Sequence, residues 1–107
     1  MNQGDVYWYA FKKPDKRRPV LVLTRDSAIS FLTSVTVAPI TTTIRAIPSE
    51  VPLSPADGMF TTCAVNLDNI QTVQKSRMGG FITHLSHQPM RKVKRAFEFA
   101  LGFDALW

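Results

Sequence analysis

Thirteen lysines and arginines against eight acids give this 107-residue sequence a formal charge of +5 and a pI near 9.8. Six of those cations lie in its first quarter, as Lys12-Lys13, Lys16-Arg17-Arg18 and Arg25, and four more lie in Arg91-Lys92 and Lys94-Arg95. Such a balance suits a polyanion, and on charge alone RNA, DNA, an acidic protein segment and an anionic membrane all fit. Each cluster also serves as a solvated face that keeps the protein soluble. Thr41-Thr42-Thr43 is a run of hydroxyls that can donate to, or accept from, oxygens of a bound ligand. Asp68 stands in the polar stretch Asn66-Leu67-Asp68-Asn69, where turn residues are expected in any case. Histidine titrates near neutral pH, which makes His84 and His87 candidate bases, although their place just before the last helical segment suits a cap or surface role. Tyr7, Trp8 and Tyr9 can stack on nucleobases, and their alternation along a strand assigns at least one of them to the core. Cys63 is the only cysteine, so no internal disulfide forms and a reducing cytoplasm is expected. One cysteine and two histidines make a poor zinc set, so no metal site is expected.

The elements that must position these groups are mostly strands. Gly4 to Phe11 is aromatic and β-branched, and reads as a first strand. A charged turn around Pro14-Asp15 follows. Arg18 to Thr24 then holds a continuous apolar run, which predicts a strand buried on both faces, with Pro19 tolerated only near its start. Asp26-Ser27 is expected to cap one helical turn, Ser34 to Thr41 alternates as a third strand, and Pro48 to Leu53 is a short edge segment. Ala56-Asp57-Gly58 is a turn, Thr62 to Val65 and Ile70 to Val73 are two further strands, and Gly79-Gly80 reads as a flexible break before Phe81. Near the end the period changes. Met90, Val93, Phe97, Ala100 and Leu101 recur at helical spacing after a Ser86 cap, with Gly102 as the stop.

A chain of 107 residues with 45% hydrophobic content fits one folded domain, residues 1–107. The polar opening Met1-Asn2-Gln3-Gly4-Asp5 lacks a basic signal region, and no apolar run approaches the roughly 18 residues a membrane span needs. The expected compartment is the cytoplasm, with no membrane partner.

Three segments in this order resemble the MazF/PemK (Kid) family of toxin endoribonucleases. They are Gly4-Asp5-Val6-Tyr7-Trp8, the run Arg17-Arg18-Pro19-Val20-Leu21-Val22-Leu23, and Ile40-Thr41 at the end of the third strand. Gln71-Thr72-Val73, Met78-Gly79-Gly80 and Ile82-Thr83-His84-Leu85 add to the match, as does the terminal helix. The resemblance implies a mainly β fold with a C-terminal helix: a small SH3-like barrel of bent antiparallel strands, of the type shared with the gyrase poison CcdB. It also implies a homodimer with its RNA site at or near the subunit interface, restrained by an antitoxin whose acidic, partly disordered segment blocks the site. The family cuts single-stranded RNA without a metal or other cofactor, leaving a cyclic phosphate and a free 5′-hydroxyl.

Carried residue by residue, the resemblance makes Arg18 the catalytic arginine, Thr41 the second catalytic position and Asp68 a third. Arg18 holds its charge at any working pH, so it suits charge stabilisation better than proton abstraction. Asp68 matches the aspartate of an Arg-x-Asp pair in the Kid branch, but Asn66 stands where that pair has its arginine. Lys16, Arg17, Thr42, Asn66 and Gln71 are the expected substrate contacts. The Lys12–Arg17 loop is shorter than in many relatives, which use it to gate the RNA groove. Two other readings share this fold: a CcdB-like topoisomerase poison acting through Leu106-Trp107, and a nucleic-acid-binding barrel without catalysis.

Overall fold

A computed structural model describes residues 1–11 and 17–105. Among them β1 spans Asp5–Ala10, β2 Arg17–Val22, α1 Asp26–Ile29, β3 Ser34–Thr41, β4 Glu50–Leu53, β5 Cys63–Asn66, β6 Gln71–Gln74, β7 Met78–His84 and α2 His87–Ala100. Short 3-10 turns at Pro55–Asp57, Leu67–Asn69 and Lys75–Arg77 join the later strands.

Every strand pair is antiparallel, in the order β4-β5-β3-β2-β1-β7 with β6 also on β3. The eight residues of β3 organise this arrangement. One edge of β3 meets β2 through Val37–Pro39; the other meets β6 through Ser34–Val37 and then β5 through Ile40–Thr41. Two strands, β6 and then β5, thus share that second edge, and the sheet branches at β3. The mainly β fold of antiparallel strands with a C-terminal helix is the one expected from the sequence, and its sheet is open, with β4 and β7 at the ends. Leu85 and the α2 residues Val93 and Ala96 join Val6, Leu21, Val51 and Leu53 in a core on one side of it.

Burial of β2 on both faces follows from two cores. Leu21 enters the α2-side core, while Val20 and Val22 join Tyr9, Ile29, Val35, Val37 and Val73 on the other side. All three β2 residues are fully buried, which at about 1.5–3 kcal/mol per aliphatic side chain makes this strand a principal source of hydrophobic stabilisation.

Local details differ from the sequence reading in three places. Gly79 and Gly80 are not a break but lie inside β7, beside irregular register on β1. A Cβ on Gly79 would sit 3.0 Å from the Trp8 carbonyl oxygen, so this glycine admits a close backbone approach. The first residue of α1 is Asp26, whose carboxylate accepts the Gln3 backbone N–H at 2.7 Å, so it ties the N-terminus down and does not cap the turn. Leu101 lies past the end of α2 and is 45% exposed, and Gly102 follows in the left-handed conformation at φ +76° that ends the helix. Val93 and Ala96 form the buried face in its place. No helix among the described residues is long and apolar enough to cross a membrane.

Candidate active site

Arg18 enters β2 one residue before Pro19, and Thr41 ends β3. The last paired residues between these strands are Val20 and Pro39. Extending that antiparallel register by two residues sets Arg18 across from Thr41. Beyond Pro39 the strands leave an opening, and both side chains line it.

Two cavities meet there. The first, of about 400 Å³, is lined by Arg18, Thr41, Thr43, Arg45, Glu50, Asn66, Asn69 and Gln71 among others. The second, of about 540 Å³, shares Arg18, Thr41 and Thr43 and adds Trp8, Arg17, Thr42, Phe60 and Cys63. The structure thus brings together Arg17, Arg18, Thr41, Thr42, Asn66 and Gln71 from four strands, β2, β3, β5 and β6, and the turn after β3. Lys16 and the rest of the β1–β2 loop, residues 12–16, lie outside the described residues, as do Leu106 and Trp107.

The site is held by short-range hydrogen bonds. The Thr43 backbone N–H donates to Thr41 Oγ1 at 3.1 Å, fixing that hydroxyl with a local turn. Asn66 Oδ1 accepts the Asp68 N–H at 3.0 Å and so caps the Leu67–Asn69 turn, which presents Asn69 to the cavity. Opposite Asn66 in the ladder stands Glu50, whose side chain is only 1% exposed. Its Oε1 accepts the backbone N–H groups of Arg45 at 2.9 Å and Ala46 at 3.1 Å, and its Oε2 lies 3.4 Å from Arg45 Nε. Ala46 sits at φ +54°, a conformation that costs a non-glycine residue about 1–2 kcal/mol. The two backbone N–H hydrogen bonds to the Glu50 carboxylate offset that strain and fix the path of the β3–β4 loop.

Asp68 is not brought to these cavities. It is exposed, and its Oδ2 accepts the hydroxyl of the buried Ser49 at 2.5 Å, so it links the Leu67–Asn69 turn to the start of β4. His84 lies apart as well: its Nδ1 is 2.7 Å from Oδ1 of Asp5, whose other oxygen accepts the Asn2 N–H. His87 lines a separate groove along α2 with Met90 and Phe97. Burial, and after it the charge of Asp57, pushes the Cys63 thiol above its ordinary pKa, which keeps it protonated and a poor nucleophile. Among the described residues no three His, Cys, Asp or Glu side chains converge as a metal site would need.

Arg45, Glu50, Asn69 and Phe60 also line these cavities, and the sequence did not single them out. The signal available for Glu50 was a single acid opening a short apolar segment, Glu50-Val51-Pro52-Leu53. A charge at the head of a strand that must pack on the core needs buried donors, and the adjacent loop supplies them.

The family described as "PemK-like, MazF-like toxin of type II toxin-antitoxin system" matches residues 2–101. The Mycobacterium tuberculosis protein named endoribonuclease MazF3 is 46% identical over 97 residues, covering 87% of this chain and 88% of that one. The solved structure of the M. tuberculosis toxin MazF-mt6 superposes with a TM-score of 0.84 at 37% identity, over 96% of this chain and 99% of that one. An endoribonuclease from a mycobacterial species, solved with its cognate antitoxin, superposes with a TM-score of 0.87 at 28% identity, over 100% of this chain and 98% of that one.

Proposed function

We propose that this chain, which belongs to the PemK-like, MazF-like toxins of type II toxin–antitoxin systems, cuts single-stranded RNA by attack of a ribose 2′-hydroxyl on the adjacent phosphorus. The observation that carries this reading is that Arg18 and Thr41, from two strands, line the same pair of cavities. In the reaction a bond forms between the 2′-oxygen and phosphorus while the bond to the 5′-oxygen breaks. The products are a 2′,3′-cyclic phosphate and a 5′-hydroxyl, and the proton lost by the 2′-oxygen is matched by one gained at the 5′-oxygen.

The guanidinium of Arg18 binds two phosphoryl oxygens as negative charge gathers on them. Thr41, whose Oγ1 already accepts the Thr43 N–H, directs its own proton to the same group. Arg17, Thr42 and Lys16 contact the flanking backbone, while Asn66 and Gln71 offer amide donors and acceptors to base edges. Asp68 contributes by locking the turn that carries Asn66 and Asn69. Because the nucleophile belongs to the substrate, no metal is required. Purified protein is expected to cut a long RNA at an unchanged rate in excess EDTA. Loss of cleavage with chelator, and its return with magnesium, would contradict this chemistry.

The same reading makes the chain a single domain working in the cytoplasm as a homodimer, with its RNA groove built from both subunits. A chain this small has limited surface for a core and an extended groove together. The cationic groove also suits the acidic segment of an antitoxin, and a structural relative was solved with its cognate antitoxin. Light scattering is expected to give about twice the 12.0 kDa chain mass. A strict monomer that cuts RNA at full rate would remove the dimer from the account.

A further inference from the structure

We infer that the exposed ring of Phe60 is a stacking platform for a base of single-stranded RNA, next to the phosphate position formed by Arg18 and Thr41. This inference rests on the RNA-cutting reading above and names a residue that selects the substrate's single-stranded state.

Phe60 is 73% exposed, which alone would mean little, since scattered apolar side chains are common on protein surfaces. Its company is what distinguishes it. The ring lies nearly parallel to Trp8, at 17° and with centroids 5.9 Å apart. The Arg17 guanidinium sits 4.7 Å from the centroid of that same Trp8 ring. All three residues line the larger cavity together with Arg18, Thr41 and Thr42. Phe31, more exposed still at 85%, lines neither cavity of the site.

The turn that precedes Phe60 is held by local contacts, and the ring stands on the surface. Ser54 and Asp57 cap the turn before it reciprocally, with the Ser54 N–H on Asp57 Oδ2 at 2.9 Å and the Ala56 N–H on Ser54 Oγ at 3.2 Å. Gly58 takes the left-handed conformation at φ +95°, where an added Cβ would collide with the Thr83 side chain. Met59 is buried in the core, so Phe60, the next residue, is directed outward. A rigid aromatic face held open beside two arginines matches the design of single-strand sites, in which cations track the backbone and rings stack on bases. In a duplex both faces of a base are already stacked, so this platform favours unpaired RNA.

The test is binding of a fluorescently labelled single-stranded RNA, made uncuttable by 2′-deoxyribose at the cut position, to wild type, Phe60→Ala and Phe60→Tyr. Phe60→Ala is expected to weaken binding about tenfold, Phe60→Tyr to restore it, and the loss in cleavage to fall on KM more than on kcat. Removing one base at a time from the oligonucleotide should reveal a position at which Phe60→Ala makes no further difference. Equal binding by Phe60→Ala and wild type would overturn the inference. So would a loss that persists wherever bases are removed, or one that follows a change in oligomeric mass, because the ring would then belong to a protein interface. Phe60-dependent, base-dependent binding by a protein that cuts no RNA would support the platform while refuting the nuclease reading separately.

Discussion

Arg18→Ala abolishes RNA cleavage and leaves the circular dichroism spectrum unchanged. Arg18 is half-buried at the start of β2, and its side chain lines both cavities of the site. The strand itself is held by the buried Val20, Leu21 and Val22, none of which the substitution touches. Removing a preorganised donor to the reacting phosphate costs on the order of a hundredfold or more in rate. Arg18→Lys is expected to recover only part of that rate, because an ammonium is a point charge and not a planar fork. Cleavage rates measured beside the spectra check both variants. A folded Arg18→Ala protein with wild-type activity would remove Arg18 from the chemistry.

Glu50→Ala lowers stability by about 2 kcal/mol or more and takes cleavage down with it. The Glu50 carboxylate receives two backbone N–H groups, and leaving such donors unmet costs roughly 1–3 kcal/mol each. The left-handed Ala46 would lose the bonds that offset its strain. With the β3–β4 loop loosened, Thr43 no longer holds Thr41 in place. For a domain of this size the melting temperature should fall by roughly 10 °C. Glu50→Gln keeps an oxygen for the two amides and should fall less. Thermal unfolding of both variants decides the matter. A Glu50→Ala protein that melts with the wild type would show that the loop needs no such anchor.

Much of this architecture is legible in the residues, for reasons that can be stated. Alternation and the Val20-Leu21-Val22 run announce strands, because burial on one or both faces leaves a period in the sequence. The helix face is equally visible, although Ala96 takes the buried place expected of Leu101, since a helix's final residue depends on its cap. What the residues do not announce is long-range pairing. Whether a bent sheet closes is decided by β3 sharing one edge between β5 and β6, a contact between segments some thirty residues apart. For the same reason the ordered motif points to Arg18 and Thr41, whereas nothing local in the sequence points to Glu50 or Phe60, which line the same cavities. Their roles come from a loop path and a ring contact that have no local signature.

The central claim is that the substrate supplies its own nucleophile. It is tested most directly by replacing one ribose, at the mapped cut position, with 2′-deoxyribose and comparing cleavage of the two otherwise identical strands in the presence of EDTA. The account predicts that the all-ribose strand yields a 2′,3′-cyclic phosphate and a 5′-hydroxyl, and that the substituted strand stays intact at that position. Cleavage of the substituted strand at the normal rate, with a 5′-phosphate on the new end, would contradict it.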